Sequence, residues 1–563
     1  MKVVIVGGVA GGATAAARIR RLDEQAEIVV FERSGYISYA NCGLPYYIGD
    51  IITDPEALTL QSPENFFSRF RVTMKVHHEV TAIHPNQKCV SVKNLETGEE
   101  FEESFDKLLL SPGAKPTQPR LSGMGLDQVF TLRTVEDTFR IKEYIRKKRP
   151  KSVVLAGGGF ISLELAENLR KLGMEVTIVQ QPLQLMTPFD PDMAAFLHAE
   201  ARKHGIKLAL GHTVEGFAEK GGSIEVLLKD KSSLQADMVV LSIGVTPDTH
   251  LAKEAGLELG IKGSIVVNDR METSIPDIYA VGDAVQIKHF VTGQEALIAL
   301  AGPANKQGRI AADNICGGHS RYTGSQGSSI IKIFDLTAAV TGLNETGASK
   351  AGLDADKVFL SPMSHAGYYP GGRVMTMKVI FEKKTFRLLG AQIIGYEGVD
   401  KRIDVLATAI RAGVRATELK DLDLAYAPPY SSAKDPVNMA GFLIDNIAEG
   451  LLKQWHLEDI PTLPRDGSAT LLDTRTEKEY RHGHIDGFVN IPVDELRDRL
   501  DELDQSKPVY VICQSGLRSY IACRILTGNR FDCYNFSGGF RLYDAVINDQ
   551  RLIETATACG MDQ

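Results

Sequence analysis

Apolar residues in the first 330 positions come in short runs, each followed by glycines and then by a mixed apolar and polar stretch. Val3 to Val6 is a β-branched run that predicts a strand; glycines follow, then a helix through about Leu22. Glu27 to Phe31 predicts the next strand, ending at Glu32. The pattern returns at Ser152–Ala156, with glycines, a helix to Leu172 and a strand at Glu175–Val179. Two such units about 150 residues apart predict two nucleotide-binding domains of doubly wound α/β type. From about Gly324 to Met439 the texture changes. Ile330 to Phe334, Val374 to Phe381 and Leu388 to Ile394 read as sheet strands, and Asp400 to Ala412 as a helix before the Pro-rich segment AYAPPYSSAKDP. This predicts a separate α+β domain. Residues 441–465 read as a connecting helix and linker with Pro461 and Pro464, and a last compact α/β unit runs from about Ala469 to Leu552.

Length agrees with that division, since 563 residues exceed one hydrophobic core and ordinary domains would number three to five. No apolar run approaches the ~20 residues that span a bilayer. The N-terminal run resembles a secretory signal only superficially, because it is a strand, a glycine turn and a helix carrying Arg18, Arg20 and Arg21. A cytoplasmic protein is expected. The formal charge of −8 is spread without blocks, which gives no support to nucleic-acid binding. Seven cysteines without repeating spacing do not form a secreted disulfide framework, and the lack of a CxxC pair argues against structural zinc.

The first turn is Gly7-Gly8-Val9-Ala10-Gly11-Gly12, with Glu32 twenty residues beyond Gly12. Gly7 permits a tight turn, Gly12 lets helix and strand pack closely, and the helix N-terminus presents free N–H groups to a pyrophosphate. Glu32 is placed to accept hydrogen bonds from an adenosine ribose. Val9 occupies the middle glycine position of the usual motif, so the turn alone is also compatible with a purely structural role. The second turn is Gly157-Gly158-Gly159-Phe160-Ile161-Ser162, and the strand after it ends at Gln180-Gln181. An acid there would favour NAD and an arginine NADP; neither is present, and the choice stays open.

Three further segments, TSIPDIYAVGDAV with Asp283, LLLSPGAKP and VVLSIGVTP, complete a pattern that resembles the two-dinucleotide-binding flavoprotein family across residues 1–325. The resemblance implies that Asp283 holds the ribityl chain of FAD and that the first turn holds its pyrophosphate. Arg33, Val80, Ser111, Gly113 and Ala301 join the FAD set. By the same resemblance the second turn belongs to NAD(P)H, with Gly157, Gly159, Phe160, Ile161, Glu164 and Gly244. The implied organisation is an FAD-binding domain over 1–118 and 246–323, an NAD(P)-binding domain over 119–245, a dimerisation domain over 324–445 and a linker over 446–465. A last α/β domain over 466–553 completes it.

Cys42 lies in SYANCGLPY, near a helix start, with Ser38 and Asn41 as neighbours. Such a place is expected to lower a thiol's pKa, although an inert buried cysteine is the commoner fate. Glutathione-reductase-like enzymes carry a second cysteine five residues on; Tyr47 stands there, so Cys42 must cycle through a mixed disulfide, persulfide or sulfenic acid. SYANCGLPY, His365 to Pro370 and Ala425 to Tyr430 resemble the coenzyme A disulfide reductase family. This implies a homodimer in which Tyr368 and Tyr426 reach the partner's cysteine. It also implies coenzyme A contacts from Thr14, Arg18, Arg21, Ser38, Asn41, Asn305 and Lys434. Arg18 and Arg21, at i and i+3 on one face of the first helix, are placed to take the phosphates of coenzyme A, joined by Arg69 or Arg71. Arg18 and Asn305 depart in type from the glutamine and histidine of a related enzyme.

The second reactive candidate is Cys513 in VYVICQSGLRS, where a strand delivers the cysteine into a loop that opens onto a helix. Backbone N–H groups facing the sulfur favour a thiolate or persulfide. LLDTR, GHIDGFVNIP and SGGF around it resemble the rhodanese family over roughly residues 465–550. The six-residue loop Cys513 to Arg518 suits sulfur transfer, whereas phosphatase relatives use a longer one; Arg518 is assigned to an anionic sulfur donor. Cys523, Cys533 and Cys559 carry no comparable context. The function expected is NAD(P)H- and FAD-dependent reduction of coenzyme A disulfide, coenzyme A persulfide or polysulfide, with no metal. The alternatives are an NADH oxidase or peroxidase working through a sulfenic acid, a sulfurtransferase whose reductase half recycles its persulfide, and a flavin-binding redox sensor.

Overall fold

The computed structural model describes residues 1–559, and the side chain of Cys559 lies outside the described part. The chain divides into two compact units. One comprises Met1–Leu183 with Gly205–Gly327, and the other Gln184–His204 with the chain from Ser328 onward.

The first unit contains both predicted nucleotide-binding sheets. In one, five parallel strands run in the order Ile278–Ala280, Lys107–Leu110, Lys2–Val6, Glu27–Phe31, Thr73–Lys75. In the other the order is Val129–Thr131, Met238–Leu241, Ser152–Ala156, Glu175–Gln180, Lys207–Leu210. Strands of this kind are covered on both faces, which explains runs such as Val3, Val4, Ile5 that are apolar without alternation and fully buried. Each sheet carries a three-stranded antiparallel sheet as an insertion, His78–Ser104 and Val214–Ala236 in extent.

The second unit holds two different sheets. The predicted α+β domain is an antiparallel sheet ordered Ser329–Ile333, Leu336–Gly342, Leu388–Gly395, Thr376–Glu382, Ala355–Leu360, with Val399–Ala412 as a helix packed on it. The C-terminal sheet is parallel, ordered Gln454–Trp455, Cys533–Phe536, Val509–Ile512, Thr470–Asp473, Val489–Asn490. Its first strand comes from the segment read as a linker: Gln454 and Trp455 pair with Asn535 and Phe536, and Trp455 stacks on Phe536 with ring centroids 4.2 Å apart.

The Pro191–Lys203 helix follows the second nucleotide-type strand in sequence but packs within the second unit. Its anchor is Lys378, fully buried, whose ammonium meets Asp190 at 2.9 Å, Asp192 at 2.8 Å and the carboxylate of Glu345. Farther along, His198 Nε2 accepts the Leu185 N–H at 2.9 Å, which leaves its proton on Nδ1 to donate to Asp549 at 2.7 Å. Arg202 donates to the other Asp549 oxygen at 2.5 Å. The C-terminal helix Gly539–Cys559 is thereby tied to this helix.

Candidate active sites

The first glycine turn is shaped by steric necessity. A Cβ on Gly12 would lie 1.9 Å from the Gly7 carbonyl oxygen, and one on Gly7, whose φ is +98°, would lie 2.1 Å from the Ser111 oxygen. The Ala10–Leu22 helix that follows has no side-chain cap, so its leading N–H groups stay free. The Val135–Lys148 helix, by contrast, closes its own start with a Thr134–Asp137 capping box. Glu32, nearly buried at the end of its strand, accepts from Gly8 N at 2.9 Å and Ser34 N at 3.0 Å, which fixes a carboxylate beneath the turn. Ser38 holds a left-handed φ of +45° while its N–H donates to the Gly8 carbonyl.

Asp283 and Asn41 are joined by a residue the sequence reading missed. Arg133 donates to Asp283 Oδ2 at 2.8 Å and to the Ala114 carbonyl at 3.1 Å. With the Asn41 amide oriented to match its neighbours, its oxygen accepts from Arg133 Nη1 and its nitrogen donates to the Arg133 carbonyl, both at 3.1 Å. The neighbour of Cys42 is thus fixed to the acid of the GD segment by one guanidinium.

Cys42 is exposed and unpaired in the Asn41–Gly43 turn. Burial by its surroundings pushes its thiol above the ordinary value, the charge of Glu164 pushes the same way, Arg133 pulls it down, and Asp283 adds a smaller upward push. This corrects the expectation of a lowered pKa. The element at Cys42 is a single 3-10 turn of three residues, too short for a strong dipole, and carboxylates outnumber the one cation near it. Glu164 itself is pushed up to about 7, chiefly by burial and less by Glu167, against a hydrogen bond from Tyr46 at 3.3 Å. Tyr46 too was missed; it lies on Leu44–Ile48, the short helix directly after the cysteine.

The second turn repeats the first. A Cβ on Gly157, at φ +114°, would lie 2.3 Å from the Ser242 oxygen, whereas one on Gly159 or Gly244 would meet open space. The Phe160–Lys171 helix starts without a side-chain cap, and Ser162 in the third glycine's place is buried and hydrogen-bonded to Ser242 at 2.5 Å.

Of the residues assigned to coenzyme A, Thr14 and Asn305 are brought together by a 2.6 Å hydrogen bond. Arg18 is engaged by Asp313 at 2.7 Å, while Arg21, Arg69 and Lys434 are exposed. In the second unit Tyr368 and Tyr426 share a 2.7 Å hydrogen bond although 76% and 46% exposed. Exposed, mutually bonded phenols on a domain of this kind are unusual for core packing.

Cys513 ends the Val509–Ile512 strand and is fully buried at the floor of its loop. Its sulfur accepts from Gly516 N at 3.1 Å and Ser519 Oγ at 3.2 Å. Phe540 N donates to the Cys513 carbonyl at 2.8 Å, so the SGGF turn closes the loop from below. Arg518 forms a two-pronged pair with Glu479, at 2.8 and 2.6 Å. Cys523 and Cys533 are buried behind it, where a hydrogen bond between the two thiols holds Cys533 below its ordinary value.

Two parallel sheets, each ending in a glycine turn and an uncapped helix, with an exposed cysteine beside the first, define an oxidoreductase built around two dinucleotides. Residues 1–308 match the pyridine nucleotide-disulphide oxidoreductase model, residues 328–436 its dimerisation domain, and residues 457–545 a rhodanese-like domain. The chain belongs to the pyridine nucleotide-disulphide oxidoreductase family. A coenzyme A disulfide reductase of Staphylococcus aureus is 37% identical over 442 residues, 78% of this chain and 99% of that protein. The reduced crystal structure of Bacillus anthracis CoADR-RHD matches at 47% identity and a TM-score of 0.95, over 97% of this chain and 98% of that one. A NAD-dependent persulfide reductase from A. fulgidus matches at 36% identity and a TM-score of 0.90, over 96% and 100%. The doubly wound, dimerisation and rhodanese-like fold classes read from sequence are borne out. FAD and NAD(P)H serve this family, and the two cradles that a Cβ would fill fit them. Among the described residues no helix is long and apolar enough to cross a membrane, and no cluster suits a metal ion.

Proposed function

We propose that the chain reduces the sulfur–sulfur bond of coenzyme A persulfide, polysulfide or coenzyme A disulfide at Cys42, and that Cys513 carries sulfane sulfur for that reaction. The names of the relatives support these substrates. FAD and NAD(P)H, when bound, supply the electron pair. The Cys42 thiolate attacks one sulfur of R–S–S–R′, forms the mixed disulfide Cys42–S–S–R and releases R′–S⁻. The Asn41–Arg133–Asp283 chain of hydrogen bonds holds the cysteine's backbone in place. In a cytoplasmic homodimer, the Tyr368–Tyr426 pair donates the proton to the departing thiolate. Thr14 with Asn305, Ser38 and Asn41 contact the pantetheine side, Arg21 and Arg69 take the phosphates together with Arg18, whose charge Asp313 shares, and Lys434 is a further substrate contact. The domain division follows the boundaries read from sequence except at two places: residues 184–204 pack with the second unit, and Gln454–Trp455 belong to the C-terminal sheet.

The observation that carries this reading is the presence, in one chain, of an exposed unpaired Cys42 and a Cys513 sulfur cradled by two donors. The test compares Cys42→Ser and Cys513→Ser on two substrates. Cys42→Ser should abolish turnover of coenzyme A disulfide and of persulfide while flavin reduction by NAD(P)H continues. Cys513→Ser should impair persulfide or polysulfide turnover and spare coenzyme A disulfide. Turnover retained by Cys42→Ser would refute the proposal.

A further inference from the structure

The mouth of the Cys513 loop contains an electrostatic arrangement that bears on which sulfur donors enter it. A loop that takes sulfur from an oxyanion such as thiosulfate binds the sulfonate end more strongly when an uncompensated cation faces it. The loop Cys513 to Arg518 offers one candidate, Arg518. Both prongs of its guanidinium fork are occupied by Glu479, Nη1 to Oε2 at 2.8 Å and Nη2 to Oε1 at 2.6 Å. Glu479 is itself held in place. It is the third residue of the Glu477–His482 helix, and its Oε2 also accepts from Thr476 N at 3.0 Å and Thr476 Oγ1 at 2.7 Å. The arginine in turn holds this carboxylate down to about 2, so it stays ionised at every working pH.

The other cations near the loop are also engaged. Arg475, buried, is neutralised by Asp473 through contacts of 2.7 to 3.1 Å and also donates to the Gly483 carbonyl. Arg541 donates its backbone N–H to the Gln514 carbonyl, but its guanidinium lies over the Phe196 ring, 5.7 Å from the centroid, beside Thr376. What remains at the sulfur is the Gly516 N–H and the Ser519 hydroxyl, donors suited to one sulfur atom.

We propose that Glu479 is a specificity-determining residue of the sulfur-transfer domain: by neutralising Arg518 it disfavours oxyanion donors and leaves the loop to donors whose transferable sulfur is carried by a thiol. This rests on the reading of Cys513 as a sulfur acceptor. The two kinds of donor differ in the charge they must bring in and release. Thiosulfate would give Cys513–S–S⁻ and expel sulfite, Cys513–S⁻ + S–SO₃²⁻ → Cys513–S–S⁻ + SO₃²⁻, with a dianion leaving through the mouth. A persulfide gives the same product and releases a thiol, Cys513–S⁻ + R–S–SH → Cys513–S–S⁻ + R–SH. Cyanide then removes the sulfur as thiocyanate and restores Cys513–S⁻.

The test is thiocyanate formation by the full chain without nicotinamide, with thiosulfate or 2-hydroxyethyl persulfide as donor. Glu479→Gln keeps the capping geometry, because glutamine also serves at the third helical position. It should raise kcat/KM for thiosulfate at least about tenfold, with a change several times smaller for the persulfide. In Glu479→Gln/Arg518→Gln the gain should vanish, since the freed cation is its cause. No gain in the single variant, an equal gain for both donors, or a gain that survives in the double variant would each overturn the inference. Wild-type transfer from neither donor would overturn the reading of Cys513 itself, which is a different result. A matching melting temperature for wild type and Glu479→Gln identifies the comparison as one between folded proteins.

Discussion

Tyr46→Phe tests the electrostatics beside Cys42. Glu164 titrates near 7 instead of its ordinary 4.5 because it is largely buried, and the Tyr46 hydroxyl at 3.3 Å is the neighbour that favours its charged form. At about 1.4 kcal/mol per pH unit, that rise means that ionised Glu164 costs the folded state about 3 kcal/mol. The sign follows from the raised value. Below pH 4.5 the group is protonated in both folded and unfolded chains and costs nothing; stability falls as pH rises from 4.5 to about 7 and is flat above. A long hydrogen bond to a carboxylate is worth about 1 kcal/mol. Removing it should therefore move the titration upward by roughly 0.7 pH unit. Tyr46→Phe should then destabilise the protein by about 1 kcal/mol at pH 9 and by nearly nothing at pH 4. The direct assay is the carboxyl infrared band, isolated as a difference spectrum against Glu164→Gln and followed through pH. An unchanged or lowered midpoint in Tyr46→Phe would refute the reasoning.

Other outcomes follow from geometry already given. Gly12→Ala puts a carbon 1.9 Å from the Gly7 oxygen, so the purified variant should lose most of its flavin absorbance; a fully yellow preparation would contradict the steric reading. Asp473→Asn leaves Arg475 buried without its carboxylate and should destabilise the sulfur-transfer domain by about 3 kcal/mol, read as a lowered melting transition of that domain. Lys378→Met strands Asp190, Asp192 and Glu345 around an apolar side chain. Its melting deficit should be larger at pH 8 than at pH 5, because Asp192, whose carboxyl burial pushes up, protonates first and relieves the repulsion.

The parts of this protein that were legible in the sequence are those whose chemistry is local. The glycine turns could be read because Gly7 and Gly12 answer to backbone atoms a few residues away or in the adjoining strand, and Cys513 because strand, loop and helix follow one another without a break. Residues acting across long separations left no such signal. Arg133 meets Asp283 150 positions away, and Tyr46 meets Glu164 118 positions away. Arg18 looked like a free phosphate ligand on its helix face, but its partner Asp313 lies 295 positions on. The raised Cys42 thiol depends first on burial by its surroundings and then on distant carboxylates such as Glu164, which is why helix position alone gave the wrong sign. Gln454–Trp455 was read as linker because two residues are too few to show alternation.

The excursion of residues 184–204 away from the strands that flank it has a practical meaning for anyone cutting this chain. A fragment spanning 119–245 would carry a helix whose burial comes from sequence far outside the fragment, and so would expose Leu197, Ala194 and Met193 to water. Trimming the C-terminus before Asp549 would strip His198 and Arg202 of the carboxylate they share. The domain last in sequence is therefore a support for a helix encoded in the middle of the chain, and the easy places to cut are not the places where the sequence changes texture. Limited proteolysis should find the Pro191–Lys203 helix resistant in the full chain and cleaved once the last helix is removed.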